Sequence, residues 1–147
     1  MDDDPDISTF RTDRPGIRKV LGDLEAEIME VIWERPTDQG TMVRDIFEVL
    51  YGRRRLAYTT VMNTMTRLAK KKLLRVEKKE QGYVYYPYLT QQEFVSRFVN
   101  RILENLFVSF AGATRAGVSA LQDPEAAAKA NLLLNEIARR REEEEEE

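Results

Sequence analysis

Thr59, Thr60, Asn63, Thr66, Arg67 and Lys70 are the residues of this chain best equipped for recognition chemistry. On a helix turning about 100° per residue, Thr59, Asn63, Thr66 and Lys70 fall together, flanked by Thr60 and Arg67. Val61, Met65 and Leu68 fall on the opposite side with Ala69 at its margin, so the same segment carries a core stripe and a polar face. Short hydroxyls approach a nucleic-acid backbone closely, an amide reads a base edge, and cations neutralise phosphates. Cations continue on both sides: Arg53, Arg54 and Arg55 precede Tyr58, and Lys71, Arg75, Lys78 and Lys79 follow. From Arg53 to Lys79 ten Lys and Arg residues meet only Glu77, a local charge of +9 and the footprint of a polyanion-binding surface.

The overall charge of −3 hides this, because residues 1–6 hold four Asp and residues 142–147 are six Glu. A chain of 147 residues, 42% hydrophobic and 33% charged, can bury one real core with a helical appendage. With no Cys and no His, it has no disulfide, no imidazole triad and no zinc site built from those ligands. Its seven glycines form no phosphate-cradling loop, and neither a cofactor nor a metal is expected. An enzyme is the least supported class. No apolar run reaches membrane-spanning length and the first residues are acidic, so the expectation is a cytoplasmic protein without direct membrane binding.

The elements that must position the polar face follow from periodicity. Residues 1–16 read as a disordered acidic N-terminus. Asp23 is placed to cap a helix from Leu24, with Leu24, Ile28, Val31 and Ile32 inward and Glu25, Glu27, Glu30 and Glu34 toward water. Thr41 is placed to cap a second helix through Leu50, closed by Gly52. The third helix, from about Thr59 to Lys72, precedes two strands, "LLRVEKK" and "YVYYPYL", with Gln81-Gly82 as the hairpin tip. Among the hairpin tyrosines, Tyr86 and Tyr88 are expected to pack on the helices. Three short helices and a hairpin describe a winged helix-turn-helix over residues 17–89. The fold class is therefore mainly α with a small β-hairpin.

"TQQE" at 90–93 is a capping box that opens a long helix. Its apolar residues Phe94, Phe98, Val99, Ile102, Leu103, Leu106, Phe107 and Phe110 make a stripe wider than one small-domain contact would cover, which predicts a homodimer. A last helix, capped at Asp123, runs to Arg141, so residues 90–141 form a helical dimerisation domain and 142–147 a disordered polyglutamate tail. Two functions fit the residues: a DNA-binding regulator, and a winged-helix module whose basic face meets an acidic protein.

Three stretches narrow this: "LGDLEAEIMEVIW" at 21–33, "LAYTTVMNTMTRLAKKKLL" at 56–74 and "GYVYYPYLTQQEF" at 82–94. They closely resemble the penicillinase-repressor (BlaI/MecI) family of bacterial transcriptional regulators over about Leu21 to Phe110. The resemblance implies a homodimeric repressor that binds dyad operators with TACA/TGTA-type half-sites, its recognition helix falling on Thr59, Thr60, Asn63 and Arg67. It also implies a membrane sensor protease as a partner for antibiotic-responsive members, which are cut at an Asn-Phe pair. The loosely corresponding pair here is Ser109-Phe110. Copper-responsive relatives use C-terminal cysteines, which this chain lacks.

Overall fold

The computed structural model describes residues 5–146, which form six α-helices and one hairpin. The chain divides into two compact units, one up to Val95 and one from Ser96 onward. In the first unit a 3-10 turn, Gly16–Lys19, leads into α1 (Asp23–Glu34), α2 (Val43–Tyr51), α3 (Tyr58–Lys70), β1 (Leu74–Lys79) and β2 (Gly82–Pro87). This is the expected order of a winged helix-turn-helix, in which the apolar stripe of each helix turns onto one core. Ile28, Met29 and Ile32 of α1, Ile46 and Leu50 of α2, and Val61, Met65 and Leu68 of α3 are buried. At about 1.5–3 kcal/mol for each such side chain taken from water, this core dominates the stability of the unit.

The helix starts differ from expectation in an instructive way. Asp23 is not the cap of α1 but its first residue, paired with Arg14 and Arg18. Glu25 serves the helix end instead, its Oε1 accepting the Gly22 N–H at 2.9 Å. Thr41 does not cap α2 because its backbone is already engaged. It exchanges two hydrogen bonds with Tyr85, N–H to O at 2.9 Å and O to N–H at 2.8 Å, and so forms a one-residue third strand beside the hairpin. Met42 then precedes α2, and Asp45 Oδ2 accepts its N–H at 2.9 Å.

Helix α3 stops at Lys70 rather than Lys72. The Leu73 N–H reaches the Leu68 carbonyl and the Lys72 N–H that of Ala69, which turns the chain back, and Lys72 takes a left-handed φ of +64°. β1 and β2 pair antiparallel from Leu74↔Pro87 to Lys79↔Gly82, so Glu80 and Gln81 make the tip and Gly82, at φ +127°, is the first paired residue of β2. Tyr86 is buried as expected, but Tyr88 is exposed, and Tyr85, whose backbone makes the Thr41 bridge, is buried as well.

The N-terminal stretch read as disordered is docked where it is described: the Asp6 N–H binds the Lys71 carbonyl at 2.8 Å and the Arg11 N–H that of Lys19 at 2.7 Å. Pro5 is buried as well, while residues 1–4 of that stretch lie outside the described residues.

The capping box of Thr90 and Glu93 is present, each backbone N–H meeting the other's side chain at 3.3 and 3.2 Å. It opens α4 (Gln91–Ser109), within which the division between the units falls. The first unit thus reaches further than residue 89. Phe94 is only 1% exposed, with its ring 5.4 Å from that of Trp33, whose indole N–H binds the Leu89 carbonyl. That placement takes Phe94 off the list of dimer-surface residues: a ring spent on its own unit's core is not offered to a partner.

The second unit continues with α5 (Ala111–Ser119), a helix that periodicity missed, and α6 (Pro124–Glu146). Asp123 caps α6 as expected, through the Glu125 N–H at 3.0 Å. Val118, Leu134 and Ile137 form its core, with Leu103, Phe107, Ala130 and Leu133 packed around them. Leu103 and Phe107 are therefore inward as well, and Phe98 is buried. Val99, Leu106 and Phe110 remain exposed, and Ile102 is half-buried. The glutamate tract read as disordered continues α6 to Glu146, helped by Arg139 bridging Glu136 and Glu143, while residue 147 lies outside the described residues.

Candidate nucleic-acid interface

Helix α3 separates its two faces as the spacing requires. Val61, Met65 and Leu68 have no exposed surface, and Thr64 joins them, its hydroxyl donating to the Thr60 carbonyl at 2.8 Å. Tyr58, Thr59, Thr60, Asn63, Thr66, Arg67 and Lys70 are exposed. Thr66 donates its hydroxyl to the Met62 carbonyl at 2.9 Å, which leaves its oxygen free to accept. Tyr58 is fixed by an edge-on contact with Phe47, ring centroids 5.4 Å apart.

The cations around this face are more structured than a charge run suggests, because α1 reaches across to them. Glu27 pairs with Arg54 at 2.6 Å and Arg53 at 3.5 Å. Glu25, its side chain only 5% exposed, pairs with Lys71 at 2.8 Å and Arg67 at 3.3 Å. The expectation that Glu25 and Glu27 simply face water is thus corrected: ten cations meet three carboxylates, not one. Among the described residues, no ion pair reaches Arg44, Arg55 or Lys70.

Burial raises the proton affinity of Glu25, but the Lys71 ammonium, the Gly22 N–H and the charge of Arg67 together outweigh it and hold the carboxyl below its usual range. A carboxyl lowered in the folded state contributes stability above its unfolded range and loses it as pH falls through the folded value. Glu25→Gln is therefore expected to lower stability by about 1–3 kcal/mol at neutral pH. The deficit should shrink as pH falls through and below the ordinary carboxylate range. Paired thermal melts across that range check it; a deficit independent of pH would contradict the assignment.

On the hairpin, Arg75 lies 4.3 Å from the centre of the Tyr86 ring and pairs with Glu77. Lys79 donates to the Tyr86 hydroxyl at 2.7 Å, a contact that raises its pKa. Lys78 sits 5.9 Å from the exposed Tyr83 ring. Between α3, the start of α2 and the hairpin runs a trough of about 550 Å³ lined by Met62, Val76, Tyr58, Tyr83 and Arg44 among others. Met62 and Arg44 were missed by sequence reasoning. Met62 lies on one helical stripe with Tyr58 and Thr66, so its exposure was within reach of the wheel; Arg44 carried no local signal.

Among the described residues no group of three or more acidic side chains is placed to hold a metal, and no helix is long and apolar enough to cross a membrane. The sequence profile of the penicillinase repressor family matches residues 21–137. Two relatives named "Transcriptional regulator BlaI", from Mycobacterium tuberculosis strains CDC 1551 / Oshkosh and ATCC 25618 / H37Rv, are each 42% identical over 76 residues, 52% of this chain and 54% of the relative. The chain thus spans about half the length of these curated relatives. With the profile covering most of the chain and the winged unit assembled as described, the protein belongs to the penicillinase repressor (BlaI/MecI) family of transcriptional regulators and is not an enzyme.

Proposed function

We propose that the protein represses transcription in the cytoplasm by occupying a dyad DNA operator as a homodimer. The observation that carries this reading is α3: its apolar side is wholly buried, while hydroxyls, an amide and cations stand outward with no acid among them. In this reading Thr59, Thr60, Asn63, Thr66 and Arg67 enter the major groove. Arg53, Arg54, Arg55, Lys70 and Lys71 meet phosphates, and the hairpin brings Arg75, Lys78 and Lys79 to the flanking backbone. The Ser109-Phe110 bond, at the α4–α5 junction with Phe110 64% exposed, is where a sensor protease would cut.

Footprinting on the DNA upstream of the protein's own gene tests the proposal, with TACA/TGTA-type half-sites expected. Asn63→Ala is expected to cost about 1–3 kcal/mol of discrimination between that site and random duplex. Lys70→Ala should weaken both about equally. A basic face that binds duplex without preference, or prefers an acidic protein, would defeat the proposal.

A further inference from the structure

The buried carboxylate of α1 does more than balance charge. Both Glu25 oxygens are engaged: Oε1 accepts from the Gly22 N–H at 2.9 Å and from Lys71 at 3.1 Å, and Oε2 meets Lys71 at 2.8 Å and the Arg67 Nε at 3.3 Å. It is thus an anchor held from the start of its own helix, from Arg67 on α3 and from Lys71 just past the end of α3. Arg67 uses only Nε for this contact, and its side chain stays 55% exposed. A guanidinium is planar, so holding Nε restrains the orientation of the plane and leaves the Nη edge outward as a fork. Such a fork is what a guanine edge or a phosphate accepts in bidentate fashion.

We propose that Glu25 is a positioning residue for recognition: it aims the Arg67 fork at the DNA, although it touches no DNA itself. This rests on the reading of α3 as a DNA-reading helix and adds a selectivity device from outside that helix. A carboxylate beside a DNA face would ordinarily repel phosphate. Here its burial and its pairing limit that repulsion while its geometry is put to use.

Two roles for Glu25 predict opposite results. If it merely masks charge, Glu25→Gln removes a negative charge and binds operator and random duplex more tightly alike. If it positions Arg67, the variant loses roughly ten-fold in operator affinity relative to random duplex. That loss disappears in an Arg67→Ala background, whereas any drop in melting temperature persists there. Binding is measured by fluorescence anisotropy on both duplexes at a temperature where every variant is folded.

Arg67→Lys asks the same question should Glu25→Gln not fold, since it keeps the charge but has no Nε to be held. It should lose discrimination to about the same extent as Arg67→Ala, and full retention would overturn the proposal. Equal tightening on both duplexes by Glu25→Gln, or an undiminished loss in the Arg67→Ala background, would overturn it too. An unmutated protein with no operator preference would instead defeat the DNA reading itself.

Discussion

Leu106→Glu is expected to leave each chain folded, to convert the proposed dimer into monomers, and to lower operator affinity by a factor of about 10²–10⁴, the avidity that a linked second half-site contributes. Leu106 is exposed on α4, and the second unit also leaves Val99, Val108, Phe110, Leu121 and Leu132 in water, the last 71% exposed. So many large apolar side chains on a unit of about fifty residues are what the proposed dimer would cover, and a charge placed among them would have to be desolvated on association. Leu103 would be a poor choice for the same experiment, because it packs against its own chain's Val118, Leu134 and Ile137 core. Sedimentation velocity at micromolar concentration, beside operator titration, is the check. An unchanged dimer would move the interface elsewhere.

Gly40→Ala is expected to destabilise the winged unit by about 1–3 kcal/mol, the usual cost of overpacking. A Cβ at residue 40 would stand 2.0 Å from the Val84 Cγ1 and 3.0 Å from the Tyr86 ring and hydroxyl. Neither neighbour can retreat easily, since both are buried strand residues that pair with β1. The shift would fall on Thr41, whose bridge to Tyr85 ties the hairpin to the start of α2. Thermal denaturation tests the cost. Val84→Ala should restore part of it in the double variant, because it removes the nearest atom. An unaltered melting temperature for Gly40→Ala would mean that the loop and hairpin do not pack this closely.

Five of the six helices and the hairpin were legible because each is amphipathic over several turns or residues, and the split of α3 into a buried and an exposed side follows from its wheel alone. What could not be read was set by contacts distant in sequence. Nothing local marks Glu25 as buried, since its partners Arg67 and Lys71 lie more than forty residues on. Thr41 reads as a cap until its backbone is seen to belong to a sheet. Periodicity missed α5 because its segment is mostly small residues, with Val118 its only buried side chain. The stripe on α4 was read as one surface, whereas packing divides it: Phe94 serves the first unit, Leu103 and Phe107 the second, and the remainder stays open.

The one-residue strand at Thr41 also bears on solubility. Bare sheet edges recruit strands from other chains, and this small sheet has two. Along the outer side of β2 the outward backbone groups belong to Tyr83, Tyr85 and Pro87, by the alternation of an antiparallel pair. Thr41 occupies both groups of Tyr85, and Pro87 has no N–H to offer. That side is reduced to a stub around Tyr83. Along β1, four of six residues are charged, Arg75, Glu77, Lys78 and Lys79, so an incoming strand would have to bury charge to dock. Both sides of the hairpin are thereby poor templates for a strand from another chain.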